Sequence, residues 1–292
     1  MAAMIDPQKD TSSFLHFLGA TKGVGNPSLL RLSSSILFAT PSHHFRSNLR
    51  FASNRHMDST TSEPDTTRPF QSLTESEFRQ LIHSSMKCTY RSHDGHTAYL
   101  PLLTSTPSRE YSTVLIGDSG IERFATTGSR TRTAQLPSCI NLGVGGDRIE
   151  NVLYRLDSDL FTLLQNRGIK VWVLKIGANH LGRKKGLKRK EVDLYRVLLH
   201  ALFRIAPGSK VVAAGLGRRR DVDEDKIERS NGVMRECAEE VDRAMGGGRV
   251  VWVDVPEEIN AEEHLSDHCH MNEEGYRIWD EVLYPMIVGL LT

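Results

Sequence analysis

Thr113-Val-Leu-Ile-Gly-Asp-Ser119 opens a pattern that runs through the rest of this 292-residue chain. A short, unbroken apolar run reads as a strand buried on both faces. The glycine and two helix-capping residues that follow end the strand and start a helix. Four more apolar runs come after it: Cys139 to Leu142, Lys170 to Ile176, Lys210 to Ala214 and Arg249 to Val253. Helical spacing fills the intervals. Ile149, Val152, Leu153, Leu156, Leu160 and Leu164 recur at that period, as do Leu194, Val197, Leu198, Leu202 and Ile205. A last helix from about Asn272 carries Tyr276, Trp279, Val282 and Leu283 at the same period. Strands and helices alternating in this way predict an α/β domain, with a five-stranded parallel sheet covered by helices on both faces. Sites in such sheets lie at the carboxyl ends of the strands. Chemistry is therefore sought just after each apolar run.

Upstream, Thr74-Glu-Ser-Glu-Phe-Arg-Gln-Leu-Ile reads as a helix with Thr74 as N-cap, Glu77 three residues on, and Phe78, Leu81 and Ile82 on one face. From there to Tyr111 the sequence is polar and reads as irregular. Residues 1–70 carry no pattern able to bury a core. Between Thr11 and Met57 there is no Asp or Glu, while Arg31, Arg46, Arg50 and Arg55 stand among many serines. That composition fits a mitochondrial transit peptide, although Asp6 and Asp10 run against it. The other readings are a disordered tail, or a gene-model artefact with Met57 as the true start. The domain proper is placed at residues 71–292. A cytoplasmic location is expected, or a mitochondrial one if residues 1–56 are a transit peptide.

The composition is that of an ordinary globular protein: 39% hydrophobic and 25% charged, with a net charge of +1. A balance so near neutral gives no general pull toward nucleic acid. No apolar run is long enough to span a bilayer as a helix. Cys88, Cys139, Cys237 and Cys269 are far apart and form no CxxC pair, so four free thiols in a reducing compartment are expected.

Each strand end offers a group with a chemical and a structural reading. Ser119 follows Gly117-Asp118 at a strand-to-helix turn, where a hydroxyl is exposed and a backbone N–H is free for an oxyanion. The same three residues also make an ordinary capped turn. Asn141-Leu-Gly-Val-Gly-Gly-Asp147 can bring backbone N–H groups close to a ligand oxygen, or simply turn the chain into a capped helix at Asp147 and Glu150. It does not match the dinucleotide fingerprint. Asn179, in Gly177-Ala178-Asn179-His180, can donate to an oxyanion or cap the strand end. His180 is placed on a surface loop. The basic run Arg183 to Lys190 and the triplet Arg218-Arg-Arg220 are read as solvated. In Asp267-His-Cys-His270, a carboxylate three residues before an imidazole can hold one ring nitrogen and leave the other as a base. The rival reading there is metal, since Glu262, Glu263, His264, Asp267, His268, Cys269 and His270 fall within nine residues.

Taken in order at successive strand ends, Gly117-Asp118-Ser119, Asn141 to Gly146, Gly177-Ala178-Asn179 and Asp267 to His270 resemble the four blocks of the SGNH (GDSL-type) hydrolase superfamily. The stretch Asn141 to Leu156 is similar, more narrowly, to the catalytic subunits of intracellular platelet-activating-factor acetylhydrolase. The resemblance covers about Tyr111 to Leu291. It implies a flavodoxin-like three-layer α/β/α sandwich and hydrolysis of small ester or acetyl-ester substrates through an acyl-enzyme. In it Ser119 is the nucleophile, His270 the base and Asp267 its orienter. The oxyanion hole comes from the Ser119 N–H, the Gly146 N–H and the Asn179 side chain. No metal or organic cofactor is needed, and a homodimer is implied by the narrower likeness.

The sequence departs from the family pattern at three places: Gly120 stands where Leu is usual, His180 where Asp or Asn is usual, and Lys175 lies in a strand that should be buried. Gly120 and Cys269, beside the nucleophile and the base, are both small. If no other side chain, such as Ile121 or Leu181, fills that gap, longer acyl chains such as butyryl or hexanoyl should be preferred to acetyl. The alternative to an esterase is a catalytically silent binding or scaffold protein on the same fold.

Overall fold

The computed structural model describes residues 70–106 and 109–292; the postulated leader lies outside the described residues. Five strands, β1 (Thr113–Gly117), β2 (Cys139–Gly143), β3 (Val171–Lys175), β4 (Lys210–Ala214) and β5 (Val250–Val253), form one parallel sheet in the order β2-β1-β3-β4-β5. Each apolar run of the sequence is a strand, and no end is moved by more than one residue. In register, Thr113 faces Cys139 on one side and Val171 on the other, so β1 lies inside the sheet. The chain reverses its direction of growth at β1, which opens a crevice at the carboxyl ends of β1 and its neighbours.

Alternate residues of each buried strand feed two cores. Val114, Ile116, Trp172, Leu174, Val211 and Ala213 pack on one face, with helices α1 (Glu75–Ser85), α4 (Ile149–Arg155), α6 (Arg189–Ile205) and α7 (Glu224–Ala244). Leu115, Val171, Val173, Val212 and Ala214 pack on the other, against Phe124, Trp279, Leu283 and Ile287. Most of that second cover comes from helix α9 (Glu273–Leu291). The expected three layers are thus present, and both faces of β3 are apolar because both are covered.

Helix α1 carries the expected capping box: Thr74 accepts from the Glu77 N–H, and Glu77 accepts from the Thr74 N–H. The stretch after it is not irregular. Tyr90–Thr104 forms α2, capped by Thr89. It buries only Ser92, His96 and Leu103, so it lacks the apolar stripe by which a helix is recognised. Polar contacts seat it instead: His93 on the Tyr154 hydroxyl at 2.8 Å and His96 on Asp159 at 2.9 Å. Gly95 lets it approach the loop after β2, since a Cβ there would lie 2.6 Å from Val144. Helix α4 continues through a π-helical segment, Leu156–Leu160, into α5 (Phe161–Leu164). Among the described residues no helix is long and apolar enough to cross a membrane.

Candidate active site

Ser119 begins α3 (Ser119–Glu122), directly after β1 and the single residue Asp118. Gly117 makes this turn possible: its φ is 155°, and a Cβ on it would sit 1.8 Å from the Lys175 carbonyl. Asp118 is buried and caps the turn by accepting from the Gly120 N–H at 2.9 Å. From the other side, the Tyr276 hydroxyl of α9 donates to the Gly120 carbonyl at 2.9 Å. The serine therefore sits on a clamped backbone.

The turn after α8 (Ala261–His264) supplies the second group. Oδ1 of Asp267 accepts from the Cys269 and His270 N–H groups at 2.9 and 2.8 Å, which fixes the turn. Its Oδ2 lies 2.7 Å from His270 Nδ1, and His270 Nε2 lies 2.9 Å from Ser119 Oγ. Burial pushes the Asp267 carboxyl up. The Cys269 N–H, the His270 ring and the His270 N–H outweigh burial and hold it well below the usual carboxylate range. A carboxylate, an imidazole and a hydroxyl thus stand in one line, each within hydrogen-bond reach of the next. The spread of possible metal ligands has a different fate. Asp267, Cys269 and His270 remain close together, but both ring nitrogens of His270 are engaged. His264 Nδ1 accepts from the Asn260 N–H, and His268 faces Asp221 at 3.8 Å.

The loops after β2 and β3 meet beside the serine. Asn179 lies in a 3-10 turn, Ala178–His180, and its amide donates to the Asp147 carbonyl at 2.8 Å. One amide hydrogen of Asn179 is left for the cleft, which Asn179 lines with Ser119 and His270. Gly146 precedes Asp147 in the β2 loop with φ at 83°, a left-handed conformation that favours glycine. It is not among the cleft-lining residues and is tied to the cleft through Asp147 and Asn179.

Several residues that hold these loops were not singled out in the sequence. Arg155, fully buried in α4, reaches under the loops: Nε donates to Asp147 at 2.9 Å, Nη1 to the Leu142 carbonyl at 2.7 Å and Nη2 to the Gly117 carbonyl at 3.4 Å. One guanidinium so joins the ends of β1 and β2. Burial nonetheless pushes the Asp147 carboxyl up to about 6, against the pull of Arg155. The available signal was an arginine three residues beyond Val152, beside the apolar stripe of α4, two turns after an aspartate. Asn141, named in the sequence only as the start of its block, also holds these loops: its amide donates to the Ile121 carbonyl at 2.9 Å, and its Oδ1 accepts from the Gly143 N–H at 2.9 Å.

Three expectations need correction. His180 is buried, not on a surface loop; its Nε2 lies 3.2 Å from the Ile149 N–H and 3.3 Å from Glu150. That contact offsets the burial that would raise Glu150, whose carboxyl is lowered to about 2. The triplet Arg218 to Arg220 is not simply solvated. Arg218 donates to the Glu257 carbonyl at 2.6 Å, Arg219 to the Ala178 carbonyl at 2.8 Å and Arg220 to the Ala261 carbonyl at 2.8 Å, so the triplet staples the loops around the cleft. The gap beside Gly120 is not empty either. Lys175 fills it: a Cβ on Gly120 would meet Nζ at 2.8 Å and Cδ and Cε at 3.1 Å. The basic run Arg183 to Lys190 is mostly exposed, as expected, and all four cysteines are free.

A family model for GDSL-like lipases and acylhydrolases matches residues 115–278, more than half of the chain. Among solved structures, the chain is similar to a Streptococcus pneumonia protein assigned as a platelet activating factor, with a TM-score of 0.54 at 18% identity. That match covers 73% of this chain and 100% of the other. A Bacteroides fragilis protein assigned as an acylhydrolase is similar with a TM-score of 0.52 at 15% identity, over 70% of this chain and 100% of the other. At such identities the likeness speaks for the fold alone. No curated protein sequence matches the chain. The family rests on the matched segment, which begins in β1 and ends in α9 and so takes in all five strands and each of the loops described above: the chain belongs to the GDSL-like lipase/acylhydrolase family.

Proposed function

We propose that this protein is a serine esterase in which Ser119, His270 and Asp267 act as nucleophile, base and orienter. The observation that carries the reading is the unbroken line from Asp267 Oδ2 through both nitrogens of His270 to Ser119 Oγ. In the acylation step, Ser119 Oγ bonds to the ester carbonyl carbon while its proton passes to His270 Nε2. Asp267, ionised and held by two backbone N–H groups, keeps Nδ1–H toward itself and stabilises the imidazolium that forms. The carbonyl oxygen becomes an oxyanion, received by the Ser119 and Gly146 N–H groups and the free amide hydrogen of Asn179. Collapse breaks the bond to the alcohol oxygen, which takes the proton from His270. Water, activated by the same imidazole, then releases the acid and restores the serine.

A serine-reactive fluorophosphonate should label the protein, and Ser119→Ala should abolish both labelling and hydrolysis of p-nitrophenyl esters. His270→Ala should cost nearly as much, several orders of magnitude in rate, because the groups act as a unit. His268→Ala should leave most of the rate, since that ring points to Asp221 and is more than half exposed. A chelator should change nothing. Hydrolysis that survives Ser119→Ala, or that a chelator stops, refutes the assignment.

A further inference from the structure

Lys175 is the last residue of β3, with only 7% of its surface exposed. Its side chain lines the cleft together with Ser119, Asn179 and His270. Among the described residues no hydrogen bond or ion pair engages its ammonium group. The other cations of the cleft are all committed. Arg218 is bound to Glu224 at 2.9 Å, and Arg219 holds Asp221 through two nitrogens at 2.8 and 2.7 Å. Asp118 also lines the cleft, but its Oδ1 is used by the Gly120 N–H and it makes no ion pair with the lysine. The ammonium thus opens on the cleft with no ion-pair partner, and an arriving anion can bind it without displacing one.

The lysine's position says where the anion would sit. Nζ packs on Gly120, the residue next to the nucleophile, and any side chain at 120 would collide with it. Its positive charge is also felt at Cys269, the residue before the imidazole, where with Arg219 it opposes the burial that raises the thiol. Gly120 and Cys269 adjoin Ser119 and His270 and line the same cleft, so the charge lies beside the carbonyl of an ester bound there. The absent leucine therefore does not leave an apolar gap for extra methylenes. Glycine and lysine act as a pair, one giving the room and the other filling it with charge.

We propose that Lys175 makes the acyl pocket cationic and selects esters whose acyl chain ends in a carboxylate, such as hemisuccinyl or hemiglutaryl esters. This deepens the serine-esterase reading and rests on it. The carboxylate accepts from the Lys175 ammonium in the bound substrate, which holds the carbonyl over Ser119; the bonds made and broken are those of the ester reaction above.

The test compares p-nitrophenyl hemisuccinate with p-nitrophenyl butyrate, which has the same chain length but no charge, on the full chain and on Lys175→Met. The unmodified protein should favour the hemisuccinate in kcat/KM by about tenfold or more, the range of one charge-assisted hydrogen bond. Lys175→Met should reverse that preference, with butyrate turnover rising. Because the first comparison needs no variant, a misfolded methionine variant cannot hide the answer. Fluorophosphonate labelling and butyrate turnover without any preference for the hemisuccinate overturn the pocket proposal and leave the serine mechanism standing. A protein that neither labels nor turns over either ester overturns the serine mechanism, and the pocket proposal with it.

Discussion

On the β2 side of Ser119, each charge close to the cleft has a partner. Arg155 and Asp147 lie 2.9 Å apart and are both buried, and two further guanidinium N–H groups go to the Leu142 and Gly117 carbonyls. On the other side, at Gly120, Lys175 is buried nearly as deeply and is paired with nothing. The first arrangement holds two loops still; the second leaves one charge waiting. The proposed oxyanion donors must be in place before the reaction, and the bonds of Arg155 and Asn179 hold their loops there. A group meant to choose a substrate needs a bond to be missing until that substrate arrives.

The sharpest way to break this contrast is to remove one cation from each wall and compare stability. Arg155→Met strands Asp147 as a buried, unpaired carboxyl and should destabilise the fold by roughly 3–5 kcal/mol. Lys175→Met removes a charge that has no partner and should raise the melting temperature. Thermal unfolding of both variants beside the parent reads the difference. Equal shifts of the same sign would mean that the two walls do not differ as described.

Next in size is a change that touches rate more than fold. Asn179→Ala removes the proposed side-chain donor to the oxyanion, together with the tie to the Asp147 carbonyl. It should lower kcat by about 10²–10³-fold, with a melting temperature close to that of the parent. A variant that loses KM alone would place Asn179 in substrate binding and not on the oxyanion.

The smallest effect belongs to Gly120→Ala. The new methyl group meets only the far end of a flexible side chain, 2.8 Å from Lys175 Nζ, so the lysine can move aside. Stability should change by less than about 1 kcal/mol, within the usual range for a substitution without core strain. Any preference for a carboxylate-ended acyl group should fall as the ammonium shifts. At Gly143, a Cβ would lie 2.2 Å from the Glu122 backbone nitrogen, and an alanine there would find nothing able to yield. Unfolding of Gly120→Ala would show that the lysine is wedged and not movable.

The sheet could be read from the sequence because buried parallel strands are continuous apolar runs, and five such runs at regular intervals leave few other architectures. Ser119 was singled out because it follows β1 directly, and His270 because the loop after the last strand carries a carboxylate three residues before it; the structure brings the two within 2.9 Å. What escaped depends on long-range placement. The partner of Arg155 is eight residues away, but its carbonyl acceptors come from other strands. His180 has the composition of a loop, yet its ring is enclosed by Ile149 and Glu150 from α4. Helix α2 has no apolar stripe, and its seats on Tyr154 and Asp159 are polar. The depth of Lys175 was legible, since it falls inside an apolar run. The space it fills was not, because Gly120 comes from a different strand end.

The bond between Ser119 and His270 joins residues 151 apart in sequence. With the strands ordered β2-β1-β3-β4-β5, a ribosome delivers β1 and β2 first, and then extends the sheet outward from β1 one strand at a time. The serine turn is therefore made early, while the imidazole arrives only after the edge strand β5 has left the exit tunnel. A nascent chain can therefore hold all five strands while the proposed nucleophile still lacks its base and the sheet still lacks α9 over one face. On the proposed mechanism the reaction cannot begin before synthesis of the domain is all but finished, and chains cut short before His270 would lack both the base and helix α9, which covers one face of the sheet.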